Sequence, residues 1–143
     1  MRHPGDLARL TREYLAAAAA HHVRYAEFFW NPTGTARDSG IGYTEGLAAI
    51  CEAIADAEKL HGISGRLIPA IDREASLRDA LEMVQWVVDA QRAHPRPEVV
   101  GIAAWVDEGT KQRWAAAFDA GFEAALQAEN APSAVLVGEQ KAH

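Results

Sequence analysis

The stretch Val23-Arg24-Tyr25-Ala26-Glu27-Phe28-Phe29 runs directly into Trp30-Asn31-Pro32, and this sequence decides the fold. Its seven residues are rich in aromatic and apolar side chains, which predicts a short β-strand. The polar and turn-forming residues that follow predict that the strand ends there. In proteins built from parallel strands and helices, functional groups gather at such strand ends, because the connecting loops converge there.

The same pattern occurs three more times along the chain. The further runs are residues 67–71 before Asp72-Arg73-Glu74, residues 99–102 leading towards Asp107-Glu108, and residues 134–137 before Gly138-Glu139. We predict the second strand at residues 66–71, irregular at Pro69, which lacks the N–H of a ladder donor. The third is predicted at residues 99–106.

Helical patterns separate these strands. We predict a first helix at residues 6–20, a second from an N-cap at Thr44 to a stop at Gly62, and a third from an N-cap at Ser76 to His94. A fourth would stack Trp114, Phe118 and Phe122. The second helix is expected to bury five apolar residues: Leu47, Ile50, Cys51, Ile54 and Leu60. Residues 30–42 are predicted to form one long loop.

Two architectures consist of helices and strands that alternate along the chain in this way. One is an open, doubly wound parallel sheet with helices on both faces, and the other is a segment of a (β/α)8 barrel. A complete barrel takes about 250 residues, so a chain of 143 residues would form about half of one. We expect a single domain over residues 1–143 in either case.

Composition excludes several classes of function. The net charge is −6 and the lysines Lys59, Lys111 and Lys141 are scattered, so no basic patch for nucleic acid is expected. No stretch approaches the ~20 apolar residues that a membrane span needs. Cys51 is the only cysteine, which rules out an intramolecular disulfide and favours a cytoplasmic location.

Residues 23–33 resemble the second-strand motif of the adenosine deaminase family. Residues 65–74 resemble the family's third strand with its terminal Arg73, and residues 99–102 the start of its fourth, which continues with an acidic segment close to Asp107-Glu108. The resemblance spans most of residues 6–108. It implies an α/β fold with a parallel sheet, about half of a (β/α)8 barrel, and a metal-dependent purine deaminase.

The resemblance implies hydrolytic deamination of a purine nucleoside or base, in which zinc-bound water attacks and a Glu moves protons. The family takes its zinc ligands from a His-x-His pair on the first strand, a His-Ala-Gly-Glu motif on the fifth, and a later Asp. Gly138-Glu139 match the end of that motif and imply Glu139 as the catalytic residue, but Leu136 stands in place of the ligand His. The other ligands are expected before residue 1 and after residue 143.

We therefore expect zinc as the cofactor of the family, no complete ligand set in this chain, and no activity from this chain alone. None of the six histidines is predicted to bind a metal, because no pair has the spacing typical of zinc sites.

Five residues at the strand ends are candidates for substrate binding. Phe29 and Trp30 could stack on a purine, although simple packing is the alternative. Asp72 and Arg73 could orient the substrate or pair with each other. Asp107 could also contact the substrate, or it could cap the following helix.

Glu27 is unusual because it lies within an apolar strand. A buried carboxylate needs a partner, and we predict a structural ion pair with Arg66 or Arg73.

The alternative to an enzyme is a non-catalytic α/β domain that acts through self-association or partner binding. Four strands cannot close a barrel, so two free sheet edges are expected. We predict a homo-oligomer whose interface includes the sheet edges and a face that carries Phe29, Ile71 and Ile102.

Overall fold

The computed structural model describes residues 3–72, 74–106, 109 and 133–138, and the structural statements below concern these residues. Helices and strands follow one another along the chain. In order they are α1 (Pro4–Ala20), β1 (Tyr25–Trp30), α2 (Pro32–Ser39), α3 (Tyr43–His61), β2 (Ser64–Ile71), α4 (Leu77–Ala93), β3 (Gly101–Val106) and β4 (Ser133–Gly138). The predicted helix around Trp114, Phe118 and Phe122 lies outside the described residues.

The four strands form one sheet in the order β1-β2-β3-β4, and all three neighbouring pairs are parallel. Strand order therefore follows chain order, as it does when each strand is added beside the previous one through a helical crossover. The predicted α/β class with a parallel sheet is confirmed. Because the strands are parallel, their carboxyl ends all lie on the same side of the sheet.

The two faces of β1 differ in exposure. Tyr25, Glu27 and Phe29 are exposed, whereas Ala26 and Trp30 are buried against the helices. Because side chains alternate along a strand, the face of β1 that carries Phe29 is the one the helices do not cover. The helix-covered face of the sheet holds most of the core.

This alternation corrects the predicted oligomer face. Phe29 lies beside Ile68 in the parallel register, and Ala70 lies beside Ala103. Ile71 and Ile102 therefore point to the opposite face from Phe29, where they are only 4% and 2% exposed. Phe29 cannot share an exposed face with these two isoleucines, since a shift of one residue along a strand reverses the face.

Pro69 lies in β2 opposite Trp30 and is fully buried. On its other side, Leu67 bridges to Val99 and Ala70 pairs with Ala103. Between these two pairs the segment leading into β3 has three residues and β2 has two, so one extra residue interrupts the ladder, as in a β-bulge. The predicted irregularity at Pro69 is confirmed, because the missing N–H falls where the ladder is interrupted.

The predicted loop at residues 30–42 is wrong in its centre, which forms α2. Asn31 is the N-cap, its Oδ1 accepting from the N–H of Gly34 at 2.9 Å, and Pro32 occupies the first turn. Gly40 ends the helix with a φ of 69°. An Asn cap followed by Pro is a helix-start signal, but the small and polar composition of the segment concealed it.

Helix α3 departs from the prediction at its first residue and in the exposure of Leu60. It begins at Tyr43 with Gly42 as N-cap, not at Thr44. Leu60 is 74% exposed, because the whole last turn of the helix faces solvent. The stop at Gly62 is confirmed by a left-handed φ of 65°, which glycine adopts without strain. The predicted buried residues Leu47, Ile50, Cys51 and Ile54 are 1–3% exposed.

Helix α4 begins as predicted, with Ser76 Oγ accepting from the N–H of Asp79 at 3.2 Å, and ends at the cap residue His94. Helix α1 packs along α3, and Arg12 contacts Asp56 across this interface at 2.8 Å. No helix in the described part of the chain is long and apolar enough to cross a membrane.

Candidate functional site

The carboxyl ends of β1 and β2 lie side by side, with Trp30 opposite Pro69 in the register. The residues that follow these strands therefore come close together. Asn31 follows β1 and Asp72 follows β2, and the Asn31 Nδ2 donates to the Asp72 Oδ2 at 3.3 Å. The same Asn31 side chain caps α2 through its oxygen. One residue thus fixes the start of a helix and the end of the neighbouring strand.

The Asp72 carboxylate accepts hydrogen bonds at both oxygens. Its Oδ1 accepts from the N–H of Glu74 at 3.0 Å, and its Oδ2 accepts from Arg37 at 3.4 Å as well as from Asn31. The Glu74 N–H is the main cause that lowers the pKa of Asp72, and Asn31 and Arg37 add to it against the opposing effect of burial. The side chain is 12% exposed and ionised at neutral pH. Three donors, from Asn31, Arg37 and Glu74, thus hold the Asp72 carboxylate in place.

Arg37 brings a positive charge to this end of the sheet. Its side chain is 62% exposed, and its Nε donates to the Asp38 Oδ1 at 2.9 Å. The Asp38 carboxylate raises the pKa of Arg37, and Arg37 in turn lowers the pKa of Asp38. Sequence reasoning missed Arg37, because its role depends on α2, which was not predicted. The Asn-Pro pair at the end of β1 is the signal that could have located it.

Trp30 lies on the helix-covered face and is 7% exposed. Its Nε1 donates to the Thr35 Oγ1 at 3.0 Å, so the polar part of the indole is satisfied inside the protein. The ring stacks on Tyr43, with 5.5 Å between centroids, and Tyr43 is followed by Trp86 at 6.3 Å. These three aromatic rings join the end of β1 to α3 and α4.

Phe29 is 50% exposed at the end of β1, on the opposite face from Trp30. Both residues nevertheless line a cleft of about 450 Å³ that lies between α1 and β1. Tyr14, Glu27 and Phe28 also line this cleft. The structure thus brings Phe29 and Trp30 to one cavity, and Asp72 is not among its lining residues.

The prediction for Glu27 is wrong in one respect. The residue is exposed, so it is not a buried carboxylate that requires an ion pair. It lies beside Arg66 in the register, but the Arg66 guanidinium donates to the carbonyl of Gly65, and no ion pair joins Glu27 to Arg66. The other predicted partner, Arg73, lies outside the described residues. The Tyr25 hydroxyl donates to Glu27 at 2.8 Å instead. Its face of β1 is open to solvent, which a hydrophobicity pattern alone does not reveal.

Three predicted site residues, Arg73, Asp107 and Glu139, lie outside the described residues. Their roles stay predictions from the family resemblance. Leu136, at the position of the family's ligand His, lies in β4 with its backbone paired beside Ala104.

The described residues do not fit a zinc ion. They contain no group of three or more His, Cys, Asp or Glu side chains that could hold a metal. The described histidines lie on separate segments, at the ends of α1, α3 and α4.

Comparison with known structures identifies the architecture. An amidohydrolase from Burkholderia ambifaria, solved with bound zinc, matches 87% of this chain with a TM-score of 0.74 and 43% sequence identity. The adenine deaminase of Arthrobacter aurescens matches 95% of the chain with a TM-score of 0.71 and 27% identity. The chain covers 34% and 38% of these two proteins. Its fold is that of part of a (β/α)8 amidohydrolase barrel, as predicted.

The family follows from the sequence profile of adenosine deaminase, which matches residues 1–143. The chain belongs to the adenosine deaminase family. Adenine deaminase from Ralstonia nicotianae is 41% identical over 81 residues, and that from Chlorobium phaeobacteroides is 34% identical over 85 residues. These matches cover 56% and 59% of this chain but only 23% and 25% of the relatives. The chain spans about a quarter of the length of the curated relatives it matches.

Proposed function

We propose that this chain is an adenine deaminase-like segment that serves the hydrolytic deamination of a purine, and that by itself it does not catalyse the reaction. The curated relatives named above are adenine deaminases, which favours a purine base over a nucleoside as the substrate. The metal that the family implies is zinc, since the amidohydrolase from Burkholderia ambifaria carries that ion.

One observation carries the proposal of inactivity. Across the described residues, no three side chains of metal-ligating type lie together. In addition, Leu136 stands where the family's motif has a ligand His, and an aliphatic side chain cannot donate an electron pair to zinc. Glu139 would then have no metal-activated water with which to exchange a proton.

A direct assay tests this proposal. The purified chain, supplied with zinc, is incubated with adenine and separately with adenosine, and the loss of the amine is followed by ultraviolet absorbance. We expect no turnover above background. Turnover that disappears on chelation would overturn the proposal, and the variant Glu139→Gln would then show whether the activity belongs to this chain.

For the substrate contacts, we propose that Phe29, Trp30, Asp72, Arg73 and Asp107 are arranged at the purine-binding end of the sheet. Phe29 is the clearest of them, because its ring is half-exposed at a strand end and an aromatic ring can stack on a purine. Asp72 is ionised and held in place by donors from two loops, so it can orient its neighbours without itself moving.

Ligand-observed NMR with adenine tests these contacts without any need for catalysis. Phe29→Ala should weaken adenine binding several-fold, because one stacked ring contributes about 1 kcal/mol. Tyr25→Ala is the matched control, since Tyr25 lies on the same face at the opposite end of β1. Equal losses in both variants would contradict a specific role for Phe29.

A second candidate function is that of a non-catalytic domain that acts through self-association. It is favoured by the edge of β1, which pairs with no other strand within the described residues, and by the exposed Tyr14, Tyr25 and Phe29 nearby. Metal analysis of the purified protein separates the two functions. Stoichiometric zinc would support an assembled enzyme, and its absence would support the non-catalytic domain.

A further inference from the structure

A second cleft, of about 550 Å³, lies among the helices and is lined by residues of α2, α3, α4 and the segment that follows α4. No strand residue is among its lining residues, so it is distinct from the strand-end site. Its walls are largely apolar, and they include Leu47, Trp86 and Ala90. A volume of this size is typical of sites for small organic molecules.

Tyr43, one of the residues that line this cleft, carries a polar group that lacks a hydrogen-bond partner in the described structure. Tyr43 lines the cleft and is 7% exposed, and its ring lies between those of Trp30 and Trp86. The hydroxyl is buried and has no hydrogen-bond partner in the described structure. Buried hydroxyls nearly always have one, and a phenol donates a strong hydrogen bond to an anionic oxygen. The hydroxyl therefore points to a missing acceptor.

Arg96 supplies a positive charge to the wall of this cleft. That charge lowers the pKa of Tyr43 and of Cys51 against the larger effect of burial, and the Arg96 side chain also hydrogen-bonds to Cys51. Arg96 makes no ion pair with a carboxylate of the described residues. Asp89 also lines the cleft, but its Oδ1 accepts from the Gln85 Nε2 at 2.7 Å. His94, the other basic residue of the cleft, is exposed.

We propose that this cleft binds a planar aromatic monocarboxylate. The ring packs against Trp86 and the apolar wall, and the carboxylate accepts hydrogen bonds from the Arg96 guanidinium and the Tyr43 hydroxyl. One permanent cation and one neutral donor suit a single negative charge, whereas Asp89 at the cleft disfavours a dianion such as a phosphate monoester. Because the hydroxyl is buried, the carboxylate reaches it only when neighbouring side chains shift.

Calorimetric titration of the full chain with 2-naphthoate tests the proposal. We expect a dissociation constant on the order of 0.1–1 mM, typical of a ligand with this number of atoms, and at least tenfold weaker binding of the neutral 2-naphthamide. Tyr43→Phe and Arg96→Ala should each weaken naphthoate binding about tenfold, as expected for loss of one charge-assisted hydrogen bond. Arg92→Ala is the matched control, because Arg92 is exposed in the last turn of α4 and does not line the cleft.

The thermal midpoint of ligand-free Tyr43→Phe provides an independent test. Since the substitution removes only a buried hydroxyl that lacks a partner, the midpoint should rise or stay unchanged while naphthoate affinity falls. A lowered midpoint would assign the hydroxyl a structural role and overturn the proposal. Equal affinity for 2-naphthoate and 2-naphthamide would also overturn the proposal. So would an Arg96→Ala variant that binds naphthoate as tightly as wild type does, and Arg96→Gln takes its place in this test if Arg96→Ala does not fold. None of these measurements depends on deaminase activity.

Discussion

Cys51 lies on the buried face of α3 and is 3% exposed. Burial raises the pKa of its thiol to about 11, with Glu98 acting in the same direction and Arg96 against it. The thiolate is the reactive form of cysteine, so at pH 8 only a very small fraction of the folded protein can react. The residue behaves as a small apolar core residue, not as a nucleophile.

We expect iodoacetamide to alkylate Cys51 at pH 8 roughly 100-fold more slowly in the folded chain than in the same chain in denaturant. The difference follows from the raised pKa and from the lack of access. Mass spectrometry of samples taken over time measures both rates. Similar rates in the folded and unfolded chain would show that α3 opens readily at this position.

Glu27 is exposed on the uncovered face of β1, and its partner is the Tyr25 hydroxyl. We therefore expect Glu27→Gln to change the free energy of unfolding by less than about 0.5 kcal/mol, because exposed polar pairs contribute little. A glutamine oxygen can still accept from Tyr25. Urea unfolding at pH 7 measures the change, and a loss of more than about 1 kcal/mol would mean that the carboxylate is buried in solution.

At the scale of elements, Asp72 ties the end of β2 to α2. Asp72→Asn should lower the free energy of unfolding by about 1–2 kcal/mol at pH 7, because it weakens hydrogen bonds to a charged group. The pKa of Asp72 is lowered in the folded protein. Its contribution is therefore present above the ordinary carboxyl pKa of about 4 and is lost as the pH falls through the folded value.

Urea unfolding of both proteins from pH 7 down to about pH 2 checks the direction of this dependence. The difference between wild type and Asp72→Asn should shrink as the pH falls. A difference that is constant over this range would show that the carboxylate charge contributes nothing to the link between the two elements.

The contact between α3 and β1 depends on a glycine. A Cβ added at Gly46 would lie 2.7 Å from Trp30 Cζ2, closer than carbon atoms approach, and 3.2 Å from Leu7 Cδ1, which is a tight contact. Gly46→Ala should therefore destabilise the protein by about 1–3 kcal/mol, because the buried indole must shift. Gly5→Ala, in the first turn of α1, is the control, since nothing lies within 4 Å of its added Cβ, and it should leave the stability equal or higher because alanine favours a helix more than glycine does. Equal stabilities of the two variants would contradict tight packing at Trp30.

At the scale of the whole molecule, the sheet has an uncovered edge at β1 within the described residues, and the exposed residues Leu10, Tyr14, Tyr25 and Phe29 lie on α1 and β1. Exposed strand edges favour pairing with another chain, and two-fold symmetry is the commonest closed arrangement. We therefore propose that the 143-residue chain forms a homodimer or larger assembly through these residues of α1 and β1. Ile71 and Ile102, which the sequence-based prediction placed in the interface, are buried and do not take part in it.

Sedimentation equilibrium at micromolar concentration measures this association. Phe29→Lys should weaken it about tenfold or more, because a charge is placed in an apolar contact. Leu60→Lys is the control, since Leu60 is 74% exposed at the far end of α3. A strictly monomeric wild-type chain, or equal effects of the two substitutions, would contradict the proposed interface.

Local sequence patterns by themselves determined the strands, most helix boundaries and the class of the fold. When apolar strands alternate with amphipathic helices, few topologies can bury both the strands and the apolar faces of the helices. A parallel sheet covered by helices is therefore expected whichever apolar residues occupy the strands. The family resemblance rested on residues that meet at the strand ends, and the profile match over residues 1–143 confirmed it. Even the irregularity at Pro69 was visible, because a proline has no N–H wherever it is placed.

Tertiary structure alone decided which face each side chain occupies and which polar groups meet. Ile71 and Phe29 are both apolar in the sequence, but the register places them on opposite faces. The Asn31–Asp72 contact joins residues 41 positions apart, and the hydroxyl of Tyr43 is buried without a partner only once its helix has packed against Trp30 and Trp86. Hydrophobic periodicity records how a segment is buried, whereas burial and hydrogen bonding at one atom depend on neighbours that are distant in the chain.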